Sequence, residues 1–217
     1  MQNTFALLRG LSASVILLCC VTSCDLPVQP KFEFEPEIGE IATFEDQTVL
    51  EWMRSDASIG GNTNVNFDIF VSAIEATGLE QEYGNTDGQR TYLMLNNEAF
   101  TGGGELFSVL GVTAIDSLDD AGIDRLRTIL RYHIIEDYVD QGPEALPALL
   151  INYFFQTLIP GDDGRISVNR DERFRLNINR ADGLPGTARG TQVRQHNYIF
   201  SNGIGHHIRD YVRTRPY

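Results

Sequence analysis

The four histidines of this sequence are the residues best suited to metal binding or proton transfer. His206 and His207 are adjacent in a stretch that we predict to be a strand, where neighbouring side chains point to opposite faces. The pair cannot readily bind one ion together, and only His133 and His196 remain. Because no His-Glu-x-x-His spacing is present either, we expect no metal site.

Thirty acidic residues supply carboxylates, but none stands in a pattern typical of a site. Asp162 and Asp163 resemble a calcium loop only loosely, because the spaced ligands and final glutamate are missing, and we predict a turn there. A carboxylate pair for glycoside hydrolysis stays open, since some pair among so many can meet in space. The sequence has no Gly-x-Ser-x-Gly elbow, phosphate-binding glycine loop or dinucleotide fingerprint. We therefore predict no catalytic residue, no cofactor and no enzyme activity.

The charge of the chain limits its partners. A formal charge of −13 argues against nucleic acid as a partner and against attraction to an anionic membrane surface. The arginines nevertheless crowd the C-terminal half, whereas the N-terminal half is acidic. This asymmetry indicates either a binding face for an acidic ligand or a charge-balanced, solvated sheet surface. The arginines concerned are Arg165, Arg170, Arg173, Arg175, Arg180, Arg189 and Arg194.

The first 23 residues have the pattern of a secretory signal peptide. Arg9 is their single charge, and the apolar run from Leu11 to Val21 is too short for a comfortable membrane-spanning helix. The following Val21-Thr-Ser-Cys24 resembles the bacterial lipobox, which implies cleavage before Cys24 and lipid on its thiol. The alternative is an ordinary signal peptide that happens to be rich in cysteine.

All three cysteines of the chain, Cys19, Cys20 and Cys24, lie in this segment. After cleavage only Cys24 would remain, so we expect a mature chain without a disulfide. The lipobox resemblance predicts a lipid-anchored protein of a Gram-negative cell envelope. We expect it at the outer membrane, on the surface or the periplasmic face.

Three segments follow from composition. Residues 1–23 are the predicted lipoprotein signal peptide, and residues 24–47 are a predicted acidic tether with three prolines. The alternation of Phe32 and Phe34 also allows a short edge strand there. Residues 48–217 are predicted to form one domain, because no internal repeat is present.

Helical patterns dominate the first part of this domain. Phe67, Phe70, Val71 and Ile74 recur at helical spacing before Gly78, which indicates an amphipathic helix over 67–77. Shorter helices are predicted over 48–54, 98–100 and 105–112, with Asn96 or Asn97 as the cap of the second.

The stretch from Asp119 to Tyr138 is predicted to begin as a helix and end as a strand. Ser117 and Asp120 fit a capping box at its start. From Tyr132 the residues are aromatic or β-branched, which favours a strand. His133 then fits a buried, hydrogen-bonded histidine that locks the junction.

Strand patterns dominate the second part. Because the predicted helices come first along the domain and the predicted strands follow, we expect an α+β fold and not a parallel sheet of alternating strands and helices. The predicted strands are 90–95, 153–159, 165–170, 173–179, 193–199 and 206–212, the last two joined at Ser201-Asn-Gly203.

Three segments in this order resemble the signatures of fasciclin-like domains. They are Thr91–Phe100, Leu130–Ile135 and Asn202–Ile208. The resemblance implies a wedge in which a β-sandwich of about seven strands carries small helices along one edge. It implies structural motif positions at Asn97, Phe100, Asn202, Gly203 and His206.

The resemblance also implies a binding role for Tyr132 and His133, since the Tyr-His region of animal relatives has been linked to cell adhesion. The sequence departs from the family at three positions. Leu95 replaces a usual proline, Arg209 a usual aspartate, and His207 a common apolar residue.

The sequence thus predicts a non-catalytic, lipid-anchored adhesion module that contacts another envelope protein or an extracellular polysaccharide. Two other functions stay open. One is an accessory subunit of an outer-membrane nutrient-uptake system. The other is a small-ligand receptor or enzyme whose site is assembled from residues remote in sequence.

Overall fold

The computed structural model of the chain describes residues 42–55, 66–181 and 184–215. The predicted signal peptide, Cys24 and most of the predicted tether lie outside these residues. Within them, no helix is long and apolar enough to cross a membrane.

The helices of the described residues are short, apart from two that pack on each other. α2 (Asp68–Thr77) and α6 (Asp120–Tyr132) are the long ones. The others are α1 (Val49–Ser55), α3 (Glu80–Gly84), α4 (Glu98–Thr101) and α5 (Leu106–Leu110), with 3-10 turns at Ile115–Ser117 and Asp162–Gly164.

The strands form two sheets. A mixed sheet has the order β1-β8-β9-β2-β3, in which β2 pairs parallel with β9 and β1 parallel with β8. An antiparallel sheet has the order β4-β5-β6-β7. The strands are β1 (Ala42–Phe44), β2 (Arg90–Leu95), β3 (Ile134–Ile135), β4 (Tyr153–Gln156), β5 (Arg165–Arg170), β6 (Leu176–Ile178), β7 (Thr191–Gln192), β8 (Gln195–Phe200) and β9 (Gly203–Ile208).

One hydrophobic core receives side chains from both sheets and from all six helices. Its centre is aromatic, with Trp52 of α1 packed 5.7 Å from Tyr198 and 5.5 Å from Phe200, ring centroid to centroid. The α+β class predicted from the sequence is therefore confirmed: two sheets are combined with several helices.

The start of α6 differs from the predicted capping box. The N-cap is Asp119, whose Oδ1 accepts a hydrogen bond of 2.8 Å from the amide of Gly122. Ser117 is instead the last residue of a 3-10 turn, where its amide bonds to the carbonyl of Ala114. This turn directs the Ser117 backbone away from the helix start, and the next aspartate takes the capping position.

The end of α6 also differs from the prediction, because the helix includes Tyr132 and the strand begins only at Ile134. His133 is the C-cap, and its amide still bonds to the Leu130 carbonyl at 3.0 Å. The burial of the Tyr132 ring from a helical position outweighs the modest strand propensity of an aromatic residue.

Strand β9 begins three residues earlier than predicted, at Gly203 rather than at His206. A Cβ at Gly203 would lie 2.0 Å from the Arg90 carbonyl oxygen, and one at Gly205 would lie 2.7 Å from the Phe200 ring. The glycines that indicated a turn in the sequence thus allow β9 to pack closely on its neighbours.

Candidate functional site

His133 is fully buried and bonded through both ring nitrogens. Nδ1 lies 2.8 Å from the Ile129 carbonyl, and Nε2 accepts a 3.0 Å hydrogen bond from the Val212 amide. Because an amide can only donate, the ring is neutral and carries its proton on Nδ1. Burial lowers the pKa of His133 to about 4, although the bond to Ile129 acts in the opposite direction. The histidine therefore ties the end of α6 to the C-terminal segment.

Tyr132 is buried beside it and serves a second junction. Its hydroxyl donates to the Arg165 carbonyl at 2.9 Å, accepts from Asn179 Nδ2 at 2.8 Å, and contacts the Thr214 hydroxyl. Thr214 Oγ1 donates to the same Arg165 carbonyl at 2.9 Å. Neither Tyr132 nor His133 can touch a partner in this conformation. Their binding role stays a prediction, and it would act through the groups that they hold in place.

Asn202 is a buried hub of the fold. Its Oδ1 accepts a 3.0 Å bond from the Val49 amide at the start of α1. Its Nδ2 donates to the Tyr83 carbonyl and to the Tyr92 hydroxyl, both at 2.9 Å. One side chain thus connects α1, α3 and β2 to the turn before Gly203.

Asn97 also joins elements, although its side chain does not cap α4. Its Oδ1 accepts from the Ile69 amide at 3.1 Å, in the first turn of α2, and its Nδ2 donates to Asn66 at 2.8 Å. Asn96 Oδ1 receives the Ala99 amide of α4 at 3.3 Å. Phe100 is buried in the core, so the first motif connects α2, β2 and α4.

His206 and His207 lie on opposite faces of β9. His206 Nε2 is 2.8 Å from the Val139 carbonyl, and its Nδ1 accepts from the Asn197 amide at 3.2 Å. His207 faces Phe67, with ring centroids 5.8 Å apart. Among the described residues, no group of three histidine, cysteine or acidic side chains could hold a metal ion.

His207 is buried without a hydrogen-bond partner for either ring nitrogen among the described residues. Burial lowers its pKa to about 4, with smaller contributions from Arg209 and Arg194. A neutral imidazole with two unsatisfied nitrogens is costly in a core.

Replacing His207 with leucine is expected to raise the free energy of unfolding by about 1–2 kcal/mol at pH 7.5, because unsatisfied polar atoms leave the core. Urea denaturation of the two proteins measures the difference. His206→Leu is the matched control and should destabilise, since it removes two hydrogen bonds from the adjacent position. Equal or lower stability of His207→Leu would contradict the prediction.

The arginines of the C-terminal half divide into two groups. Arg170 donates to the carbonyls of Gln141 and Leu146, Arg175 pairs with Asp171 at 2.7 Å, and Arg189 pairs with Glu105. Another four are exposed and have no carboxylate partner among the described residues, namely Arg165, Arg173, Arg180 and Arg194. The predicted arginine-rich face is therefore only partly available to a ligand.

Arg170→Met is expected to lower the free energy of unfolding by roughly 3 kcal/mol, because two buried carbonyls lose their donors. Arg173→Met is the matched control: its side chain is exposed, and we expect a change within about 0.5 kcal/mol. Thermal denaturation followed by circular dichroism compares the two variants. Similar melting temperatures would show that Arg170 carries no structural role.

A crevice of about 370 Å³ lies on the side of the antiparallel sheet that bears Phe154. We call it the Phe154 crevice; its lining consists of Phe154, Asp162, Arg165, Leu184, Pro185, Thr214 and Arg215. Phe154 is 45% exposed, and the Arg165 guanidinium carbon lies 4.9 Å from its ring centroid. Arg215 pairs with Asp163 at 3.0 Å. Tyr132 bonds to both Arg165 and Thr214, so the Tyr-His segment lies directly behind the crevice.

The sequence model of the fasciclin domain family matches residues 65–212, which is most of the chain. The chain belongs to the fasciclin domain family. Among solved structures it is similar to the FAS1 domain pair from the insect cell adhesion molecule fasciclin I, with 14% identity and a TM-score of 0.47. That match covers 76% of this chain, which spans half the length of the solved one. No curated protein matches the chain.

Fasciclin domains are associated with adhesion and binding, and they are generally non-catalytic binding modules. In this fasciclin domain the most exposed large apolar side chains of the described residues all fall within positions 138–154. They are Tyr138, Leu149, Leu150, Ile151 and Phe154. Exposed large apolar side chains concentrated in one stretch of the chain make that stretch a candidate interaction surface.

Sequence reasoning missed Phe154, because the run over 153–159 looked uniformly apolar. The signal that could have identified Phe154 is the alternation of side-chain direction along a strand. Tyr153 and Phe155 pack against the core, so the aromatic residue between them must face outward from β4.

Proposed function

We propose that this fasciclin domain is a non-catalytic adhesion module of the cell envelope, which contacts another envelope protein or an extracellular polysaccharide. The observation that carries the proposal is the concentration of exposed apolar side chains over 138–154, ending at the Phe154 crevice. An exposed aromatic ring beside arginines is typical of the centre of a binding surface.

Lipid on Cys24 would hold the domain at the outer membrane of a Gram-negative cell, and the part of the predicted tether that precedes β1 would link the two, because β1 itself is paired with β8 in the sheet. The support is the sequence Val21-Thr-Ser-Cys24 after an apolar run. A net charge of −13 makes nucleic acid an unsuitable partner.

The anchor is tested by detergent-phase partitioning of the wild type and Cys24→Ala, together with protease treatment of intact cells. We expect the wild type in the detergent phase and the variant in the aqueous phase. Digestion on intact cells would place the domain on the surface, and protection would place it on the periplasmic face. A wild type that stays in the aqueous phase would contradict the anchor.

The binding function is tested by capture of envelope proteins and of cell-surface polysaccharide on the full chain. Leu150→Glu combined with Ile151→Glu should abolish the capture of a protein partner, because both side chains are exposed and apolar. Capture of neither class by the wild type would refute the proposed function.

A further inference from the structure

We infer that the Phe154 crevice binds an acidic polysaccharide, with Arg165 holding a sugar carboxylate and Phe154 supporting the sugar ring. The inference rests on the proposed function, because it names the ligand class and the site of that binding.

The charge distribution favours an anionic ligand at this part of the molecule. Positions 152–217 carry ten arginines and six acidic residues, a net charge of +4. Positions 1–151 carry seven basic and 24 acidic residues, a net charge of −17. Every lining residue of the crevice comes from the positive part. A polyanion repelled by most of the chain would therefore be directed to this region.

Arg165 has the position and the freedom to bind a carboxylate. Its side chain is exposed and has no acidic partner among the described residues, while its guanidinium lies over the Phe154 ring. A guanidinium whose contact with an aromatic ring uses its face can still donate two parallel hydrogen bonds to a carboxylate through its edge.

The other lining groups favour a sugar over an acidic peptide. Phe154 offers an exposed ring to the C–H face of a pyranose, while the exposed Asp162 carboxylate can accept hydrogen bonds from sugar hydroxyls. Asp162 would repel a peptide that brought carboxylates alone. A neutral sugar would leave Arg165 without a partner. A sugar that carries both hydroxyls and a carboxylate uses all of these groups.

Tyr132 is a positioning residue for this site. Its hydroxyl bonds to the Arg165 carbonyl and contacts Thr214, so it fixes the backbone that presents both residues to the crevice. The buried tyrosine of the Tyr-His segment would thereby affect binding without touching the ligand.

The test measures affinity of the full chain in detergent micelles for three polymers. Polygalacturonate supplies sugar rings with carboxylates, its methyl ester supplies the same rings without charge, and poly-glutamate supplies carboxylates without rings. We expect polygalacturonate to bind at least about tenfold tighter than either of the other two, since each charged hydrogen bond contributes strongly.

Variants locate the site. Arg165→Ala and Phe154→Ala should each weaken polygalacturonate binding about tenfold or more. Arg194→Ala removes another exposed arginine, next to the start of β8 and absent from the crevice lining, and should change affinity less than about twofold. Tyr132→Phe should reduce the preference for the acid over the ester, a ratio that a general loss of folded protein would leave unchanged.

The outcomes separate this inference from the proposed function. If Arg165→Ala and Phe154→Ala leave polygalacturonate binding unaffected, the Phe154 crevice is not the binding site, although the domain can still be an adhesion module. If poly-glutamate binds as tightly as polygalacturonate, the inference that the site recognises a sugar is wrong. Failure of the wild type to bind polygalacturonate, with capture of an envelope protein intact, would make the partner a protein. Failure of every capture would refute both.

Discussion

Replacement of Asn202 by alanine is expected to lower the free energy of unfolding by roughly 4 kcal/mol, because buried groups lose their partners in three elements. The Val49 amide and the Tyr83 carbonyl would be left unsatisfied, and the Tyr92 hydroxyl would lose a donor. For a domain of this size the melting temperature should fall by roughly 10 °C.

The measurement is urea denaturation followed by tryptophan fluorescence, since Trp52 lies in α1 next to the Val49 contact. Asn85→Ala is the matched control: the Asn85 side chain accepts one exposed bond, from the Asp87 amide. We expect that control to change stability by less than about 1 kcal/mol. If the two alanine variants unfolded at the same urea concentration, the prediction that the Asn202 side chain stabilises the fold by joining three elements would be wrong.

Acidification from pH 8 to pH 5 is expected to destabilise the native state by roughly 6 kcal/mol, through three buried histidines. Burial lowers the pKa values of His133, His206 and His207 to about 4, from 6.5. Above pH 6.5 neither state binds these protons. Between pH 6.5 and 4 only the unfolded state takes them up, so stability falls as the pH falls. At pH 5 each of these histidines therefore lowers the free energy of unfolding by about 2 kcal/mol.

Carboxylates modify this pH dependence only in part. Burial alone would raise the pKa of Asp171, but its bonds to Arg175 and Arg173 together outweigh burial and lower the pKa. The stability that Asp171 contributes is therefore lost only below its ordinary value of 3.8. Burial raises the pKa of Glu105 above 4.5, which offsets a fraction of the histidine effect because the folded state takes up that proton first.

The pH dependence is measured as the urea midpoint of the wild type and of His207→Leu at several pH values from 8 to 5. The variant lacks one of the three histidines whose pKa is lowered to about 4, so its loss of stability should be about 2 kcal/mol smaller; the pKa of His196 is also lowered by burial, and both proteins keep that contribution. A wild-type midpoint that does not move between pH 7 and 5 would show that these histidines are accessible and titrate normally.

The local elements of this fasciclin domain were readable because their periodicity reports burial directly. Phe67, Phe70 and Ile74 predicted α2, and the alternation over 165–170 predicted β5 with the bounds that the structure has. The three motifs likewise predicted the fasciclin family, and the family match over 65–212 confirms that membership.

Motif residues were recognisable, but their partners were not. Asn202 was identified as a motif position without any sign that it bonds to Val49 and Tyr83, which lie more than 100 residues away. Asn96 or Asn97 was expected to cap the helix that follows; the Asn96 side chain accepts the Ala99 amide, whereas the Asn97 side chain bonds to the Ile69 amide of α2. Hydrogen-bond partners depend on which elements pack together, and a sequence window does not contain that information.

The sequence by itself determined the two long helices, most of the longer strands, the α+β class, the family and the lack of a catalytic pattern, because each of these depends on residue type at short spacing. It did not predict β1, which lies within the predicted tether, or the bounds of β9. Only the tertiary structure decided the parallel pairing of β2 with β9, the burial of the His207 ring without a hydrogen-bond partner in the described part of the chain, and the division of the arginines. It also assembled the crevice from positions 154, 162, 165, 184–185 and 214–215. These features require contacts between residues far apart in the chain, whose free energy depends on burial and geometry that only the packed fold supplies.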